Sequence, residues 1–313
     1  MHNAHLGSLI IEVMLPIILL VAAGGLWPHC VGAAPRTLRR QLNQLAFNLF
    51  VPALMFAIGA TAKVDVQLLT VPLLFAVGVL LSAALLYVLL FRSGLATALL
   101  PPTRVTLLIG GMFGNTFYIG LPVLTHLYGA QAARYPAYND VLAALPLVWG
   151  FGVWLINRLG ATATSPPLWR VLLTLPPIWG FAAGVALHFS GWTPKALVDA
   201  AHFIGQATVP VMLFVLGLSI PWKRLRPSRY LLGIAASKLL LTPMLVWMAA
   251  LLLFHPPAEP QRAAVLESAM PTFLFLIVLA ERFRLDMETA ALLVGWSTVL
   301  MWLTLPLWIW VVR

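Results

Sequence analysis

Charge is what this chain has least of. Only 9% of its 313 residues are charged, where soluble domains carry roughly 25%. Hydrophobic residues make up 61%, and the mean hydropathy is +0.95. A core of this size cannot hide so much apolar surface from water, but lipid can. The composition therefore predicts an all-α polytopic membrane protein. Cysteine is almost absent: Cys30 stands alone, which excludes an intramolecular disulfide. No GxxxxGK[ST] stretch occurs, so nothing marks an ATP-driven pump. The histidines show no HExxH or similar spacing, and no convergent His, Cys or acidic set is evident. Neither a metal site, nor a cofactor, nor an enzyme is expected. The net charge of +10 is scattered through short loops and forms no single patch, which argues against nucleic acid. The lipid bilayer is the expected surround.

What the chain does have is long apolar runs. A crossing helix needs about 20 mostly apolar residues. Ten such spans are predicted, at about 8–27, 38–60, 67–91, 104–128, 137–157, 169–189, 196–220, 229–254, 262–281 and 288–311. The first is preceded by MHNAHLG, which has no basic residue. It is expected to be a span and not a cleaved signal peptide. With ten spans the loops alternate between two faces. One face collects Arg36, Arg39, Arg40, Arg92, Arg104, Arg158, Arg170, Lys223, Arg224, Arg226, Arg229, Arg282 and Arg284. The other collects Lys63, Arg134, Lys195, Arg262 and Arg313. Basic loops favour the cytoplasm, so both termini are expected on the non-cytoplasmic side of a plasma membrane, the inner membrane of a bacterium.

The two halves of the chain resemble each other. VPALMFAIGA (51–60) is echoed by VPVMLFVLGL (209–218) at an offset of 158. LPLVW (145–149) is echoed by LPLWI (305–309), and MLPIILLVAAG (14–24) by TLPPIWGFAAG (174–184), both at 160. Three collinear matches define two repeats, 1–160 and 165–313. Each holds five spans, and five is odd, so the second repeat enters the membrane from the opposite face. Inverted repeats of this kind build many secondary transporters.

The fourth span of each half carries helix breakers near its centre. GGMFGNTFYIGLP (110–122) aligns with ESAMPTFLFLIV (267–278) through a shared Thr-Phe pair. Gly114, Gly120 and Pro122 are the predicted breakers in one, Pro271 in the other. A proline removes a donor and frees carbonyls, which lipid tolerates only where they face protein or a water-filled cavity. Paired interrupted helices point to a substrate site at the midplane, and half-helix N-termini favour an anion there. Gly114, Asn115, Thr116 and Thr272 are the candidate binding residues. Asn115 can donate and accept without the cost of a buried charge. Asn48 and Pro52 in span two, with Gln206, Thr208 and Pro210 in span seven, are a second polar and kinked pair that faces either the path or a neighbouring helix. Lys238 sits about nine residues into span eight, roughly 13 Å deep at 1.5 Å per residue. A charge at that depth is a functional candidate, and Glu267 in span nine is its candidate partner for a charge pair or for coupling.

These residues carry a resemblance to the auxin efflux carrier family, in its prokaryotic branch. GNTFYIGLPVL (114–124) is similar to the family's Gly-Asn-Thr…Gly-Leu-Pro block. VPALMF in span two, SKLLLTPML (237–245), and AMPTF…VLAERF…D (269–286) match in order and spacing. The resemblance implies ten spans with four and nine crossing as broken helices. It also implies a scaffold of spans one, two, six and seven, and a mobile transport domain of spans three to five and eight to ten. It implies a small organic anion as substrate, an auxin-like monocarboxylate or a dicarboxylate such as malate or malonate, an elevator-type motion and a homodimer. The short linker from Arg158 to Pro167 departs from the long central loop of the plant exporters, so plant-type phosphoregulation is not carried over. The alternatives are a sodium- or proton-coupled cation carrier of the same crossed-helix plan, and a membrane sensor without flux.

Overall fold

The structure, a computed structural model, describes residues 2–31, 35–61, 66–159 and 168–313. Lys63 and most of the linker between the repeats lie outside the described residues. The described residues form helices and no named strand. In chain order the helices are α1 (His2–Val31), α2 (Thr37–Thr61), α3 (Val66–Arg92), α4 (Pro101–Met112), α5 (116–128), α6 (Ala130–Leu159), α7 (Pro176–Phe189), α8 (Lys195–Ser219), α9 (Arg229–Leu253), α10 (Glu259–Ser268), α11 (Phe275–Arg282) and α12 (Met287–Val311). Seven of them, α1, α2, α3, α6, α8, α9 and α12, are long and apolar enough to cross a membrane. Leu252 and Leu303 are 80% and 75% exposed, an arrangement that lipid accepts and water penalises.

Three of the expected spans fall on shorter pieces, each for a visible reason. The 104–128 run divides into α4 and α5, and the 262–281 run into α10 and α11. The 169–189 run breaks between a short helix, Leu168–Leu173, and α7. There Pro176 and Pro177 supply no N–H to continue the preceding turn, and they open α7 at its first two positions. The carbonyl of Leu173 is taken up instead by the Trp179 indole N–H at 2.7 Å.

The chain divides into two compact units that do not coincide with its two halves. Unit 1 holds 1–65, 117–137 and 169–220, and so contains α1, α2, α7 and α8. Its helices pack backbone to backbone. A Cβ on Gly24 of α1 would collide with the Phe214 carbonyl of α8, and one on Gly184 of α7 with the Phe56 carbonyl of α2. Gly24 corresponds to Gly184, and Phe56 to Phe214, at the sequence-repeat offsets. The same holds for Gly59 against the Phe181 carbonyl and Gly217 against that of Val21. So α1 meets α8 as α7 meets α2, the close approach that small residues permit between helices in lipid.

Unit 2 holds 66–116, 138–168 and 221–313. It contains α3, α4, α9 to α12 and the later part of α6. Leu74, Leu108, Ile109, Leu276 and Leu293 are fully buried in it. Ser82 of α3 and Thr242 of α9 share a buried hydrogen bond of 2.9 Å. Packing there therefore adds polar links between helices, which lack a hydrophobic drive to associate in lipid.

Candidate substrate site at the helix crossing

The two interrupted segments of unit 2 meet each other. Beyond Met112 the chain turns extended at Phe113, and Gly114 pairs antiparallel with Thr272. Asn115 donates its backbone N–H to the Pro271 carbonyl at 2.7 Å, and Phe273 donates to the Phe113 carbonyl at 3.3 Å. These two bonds flank the pair as in a minimal β-ladder. Extended backbone inside an apolar protein must find partners somewhere, and each break supplies them to the other. Thr272 makes two further bonds. The Thr272 hydroxyl donates to the Gly110 carbonyl at 2.9 Å, and the Thr272 N–H donates to Ser297 Oγ at 3.0 Å. Phe113 and Phe273 stack edge to face beside the pair, 5.6 Å apart.

Ionisable side chains surround this pairing. Lys238 is fully buried, in a wide turn of α9 at Ser237–Leu241. Its ammonium donates to the carbonyl of Ser268, the last residue of α10, at 2.5 Å. Glu267 and Asn139 are also fully buried. The Asn139 amide donates to Glu267 Oε2 at 3.2 Å. Among the described residues, Glu267 Oε1 and Asn139 Oδ1 have no donor. Next to Asn139, the half-buried Asp140 accepts from the Thr116 hydroxyl at 2.9 Å. The Asn115 side chain is buried, 4% exposed, and among the described residues no hydrogen bond to its amide is found. Chemically this is a neutral amide next to the Gly114–Thr272 pairing, which the Lys238 side chain and the ends of half-helices also approach.

Gly114, Asn115, Thr116, Pro271, Thr272, Lys238 and Glu267 thus gather in unit 2. Lys238 and Glu267 make no direct ion pair: one takes a backbone carbonyl and the other an amide. Gly120 and Pro122 do not break the helix. They lie within α5, past the break, where a wide turn at Thr116–Gly120 precedes Pro122 and removes the demand for its missing N–H. The break falls at Phe113–Asn115 instead. Asn48 belongs to unit 1, is exposed, and spends its amide on the Gln44 carbonyl of its own helix at 2.8 Å. Thr208, also in unit 1, is buried with an unpartnered hydroxyl oxygen. Asp140, Asn139 and Ser297 were missed by the sequence reading. Asp140 stands inside the expected fifth span, and an acid in an apolar run was the available signal. Ser297 gave none, because a serine in a membrane helix ordinarily bonds its own backbone.

A many-helix membrane protein with two interrupted helices paired in its interior has the plan of a membrane transporter. The chain belongs to the family described as membrane transport protein, whose model matches residues 9–309. This bears out the resemblance to the auxin efflux carriers. Two relatives are similar along much of their length. A protein of Methanothermobacter thermautotrophicus named as an uncharacterized transporter is 23% identical over 308 residues, 95% of this chain and 96% of the relative. Another, from Methanocaldococcus jannaschii and likewise named, is 24% identical over 220 residues, 66% of this chain and 67% of the relative.

Proposed function

We propose that this membrane transporter carries a small organic anion, a monocarboxylate or a dicarboxylate of the malate or malonate kind, and binds it at the crossing in unit 2. The observation that supports the reading most is the pairing of the two breaks with the Asn115 amide left unengaged. Helix N-termini resume on the far side of each break, at Thr116 and Phe275, and their dipoles favour a carboxylate. Thr116 adds a hydroxyl. Substrate transfer then follows an elevator motion in which spans three to five and eight to ten form the mobile transport domain and spans one, two, six and seven the scaffold. Ten crossings in two inverted repeats serve this motion, with the broken helices and α7 completing the three crossings that no single long helix makes. The matched glycine contacts of unit 1 support the repeat. Glu267, with one carboxylate oxygen free of donors, is the group on which a proton can travel with the anion.

The test is uptake into proteoliposomes of a panel of labelled organic acids, with and without imposed proton and sodium gradients. Accumulation of a carboxylate above protein-free liposomes is the expected result. If no organic anion moves while a bare sodium or proton gradient drives exchange, the reading fails and the cation carrier replaces it.

A further inference from the structure

Away from the crossing, the first turns of α4, α9 and α12 in unit 2 line a cavity of about 280 Å³. Its lining includes the buried side chains of Leu107, Leu231 and Leu292, which give it an apolar floor. Its exposed lining carries charge of both signs: Arg226 from the connector before α9, and Glu288 from the first turn of α12. Among the described residues these two side chains make no ion pair with each other and no side-chain hydrogen bond. Asp286 lines the cavity too, but Thr103 and Thr289 already engage its carboxylate. One wall is tied down, because the Tyr230 hydroxyl donates to the Leu95 carbonyl at 3.1 Å and accepts from Arg229 at 3.0 Å. A cation and an anion thus stand uncommitted over an ordered apolar floor. A ligand with one charge is attracted by one of them and repelled by the other. A ligand with both an anionic and a cationic group satisfies both at once.

We propose that this cavity binds the headgroup of a phosphatidylethanolamine molecule, with Arg226 and the Ser228 hydroxyl on its phosphate and Glu288 on its primary ammonium. Guanidinium matches phosphate oxygens at two points, and a carboxylate accepts the N–H groups of an ammonium. The volume lies at the small end of ligand pockets, about 300–1,000 Å³, so it suits a headgroup and not its acyl chains. Those have apolar surface beside the cavity, where Leu95 and Leu100 are 64% and 71% exposed. The basic run of Lys223, Arg224, Arg226 and Arg229 marks this end of unit 2 as one that lies at a membrane surface. Glu288 sets the choice among lipids. It repels a headgroup that is only anionic, and a choline headgroup has no N–H to give it. Bound in this way, the headgroup links the starts of α9 and α12. The site is independent of the crossing, and its test leaves the organic-anion reading untouched.

The experiment follows thermal unfolding of the purified full chain in detergent by tryptophan fluorescence while short-chain lipids are titrated in. A ligand that binds only the folded state raises the midpoint in a saturable way. Dihexanoyl phosphatidylethanolamine should do so, and the matching phosphatidylcholine and phosphatidylglycerol should not. Arg226→Gln and Glu288→Gln should each weaken the response about tenfold, the scale of one hydrogen bond to a charged group. Both side chains are exposed, so both variants should fold. Lys195→Gln in unit 1 is the control and should respond as the unsubstituted protein does. Equal shifts with all three lipids would reveal a general effect of lipid and overturn the proposal. A shift with phosphatidylglycerol alone, weakened by Arg226→Gln and not by Glu288→Gln, would overturn it in favour of attraction to the basic run. Soluble glycerophosphoethanolamine carries the same headgroup without acyl chains. If it binds as tightly as the lipid, the site belongs to a free metabolite and the lipid assignment fails. No shift with any of these ligands also overturns the proposal.

Discussion

Asn115 gives its backbone N–H to the Pro271 carbonyl at 2.7 Å, while its side-chain amide makes no hydrogen bond to the described residues. The two halves of the residue have separate tasks. The backbone closes the crossing, and no hydrogen bond to the side-chain amide is found among the described residues. In the proposed reading, that amide next to the half-helix ends meets the carboxylate.

The first prediction follows from that division of labour. Asn115→Ala keeps the backbone bond and removes only the amide. The variant should insert and run as a monodisperse peak in detergent, yet lose uptake of the labelled acid in proteoliposomes. Uptake at the unsubstituted rate would take Asn115 off the substrate site.

Gly114→Ala acts on the frame instead. Its methyl group would meet Lys238 Nζ at 3.1 Å and the Met270 carbonyl at 3.2 Å. The lysine can shift, but the backbone pair cannot do so without losing its two bonds. Overpacking of this kind costs about 1–3 kcal/mol, so the unfolding midpoint should fall, and uptake should fall with it. Gly233→Ala is the control, since nothing lies within 4 Å of its added methyl. It should leave the midpoint within a degree or so of the unsubstituted value, on the scale of about ±0.5 kcal/mol for surface changes.

These residues also show what the sequence could and could not reveal. The helical class and the long spans are legible because apolar runs of 25 or more residues leave few alternatives, as in α3 and α12. The existence of a break near Gly114 and Pro271 is legible from residues that disfavour helix. Its position is not, because Pro122 looks like a breaker yet is absorbed by the wide turn ahead of it. Nor is the hydrogen-bond partner of Lys238 legible. Charge complementarity nominated Glu267, whereas the ammonium went one residue further, to a main-chain carbonyl. Which side chain meets which helix end depends on tertiary register, and apolar sequence is nearly uniform in that respect.

The close approaches in unit 1 make a prediction about symmetry. Gly24→Leu and Gly184→Leu each drive a side chain into a backbone carbonyl of the facing helix, at equivalent points of the repeat. Backbone cannot yield as a rotamer can, so both should destabilise strongly and to a similar degree. Measured unfolding midpoints or expression of folded protein will compare them. A severe effect at one site with tolerance at the other would show that the two crossings are not built alike.

The last prediction concerns pH and lies outside the spans, at the start of α12. Asp286 caps that helix: it accepts the Thr289 N–H at 2.9 Å and hydroxyl at 2.7 Å, and the Thr103 hydroxyl of α4 at 2.7 Å. Partial burial pushes its carboxyl up, but these hydrogen bonds outweigh that and hold it below the ordinary value of 3.8. A carboxylate whose folded value is depressed contributes stability that is fully present above the unfolded value and is lost as pH falls through the folded one. The contribution should therefore be intact at pH 5 and above and fade below about pH 4. Asp286→Asn retains a capping oxygen without the charge, so its contribution has no such pH dependence. The gap between the two unfolding midpoints should be constant from about pH 7 to 5 and close as the pH drops further. A gap that widens on acidification would mean that Asp286 is favoured in its protonated form, and that its hydrogen bonds do not hold α12 to α4 as a charged cap.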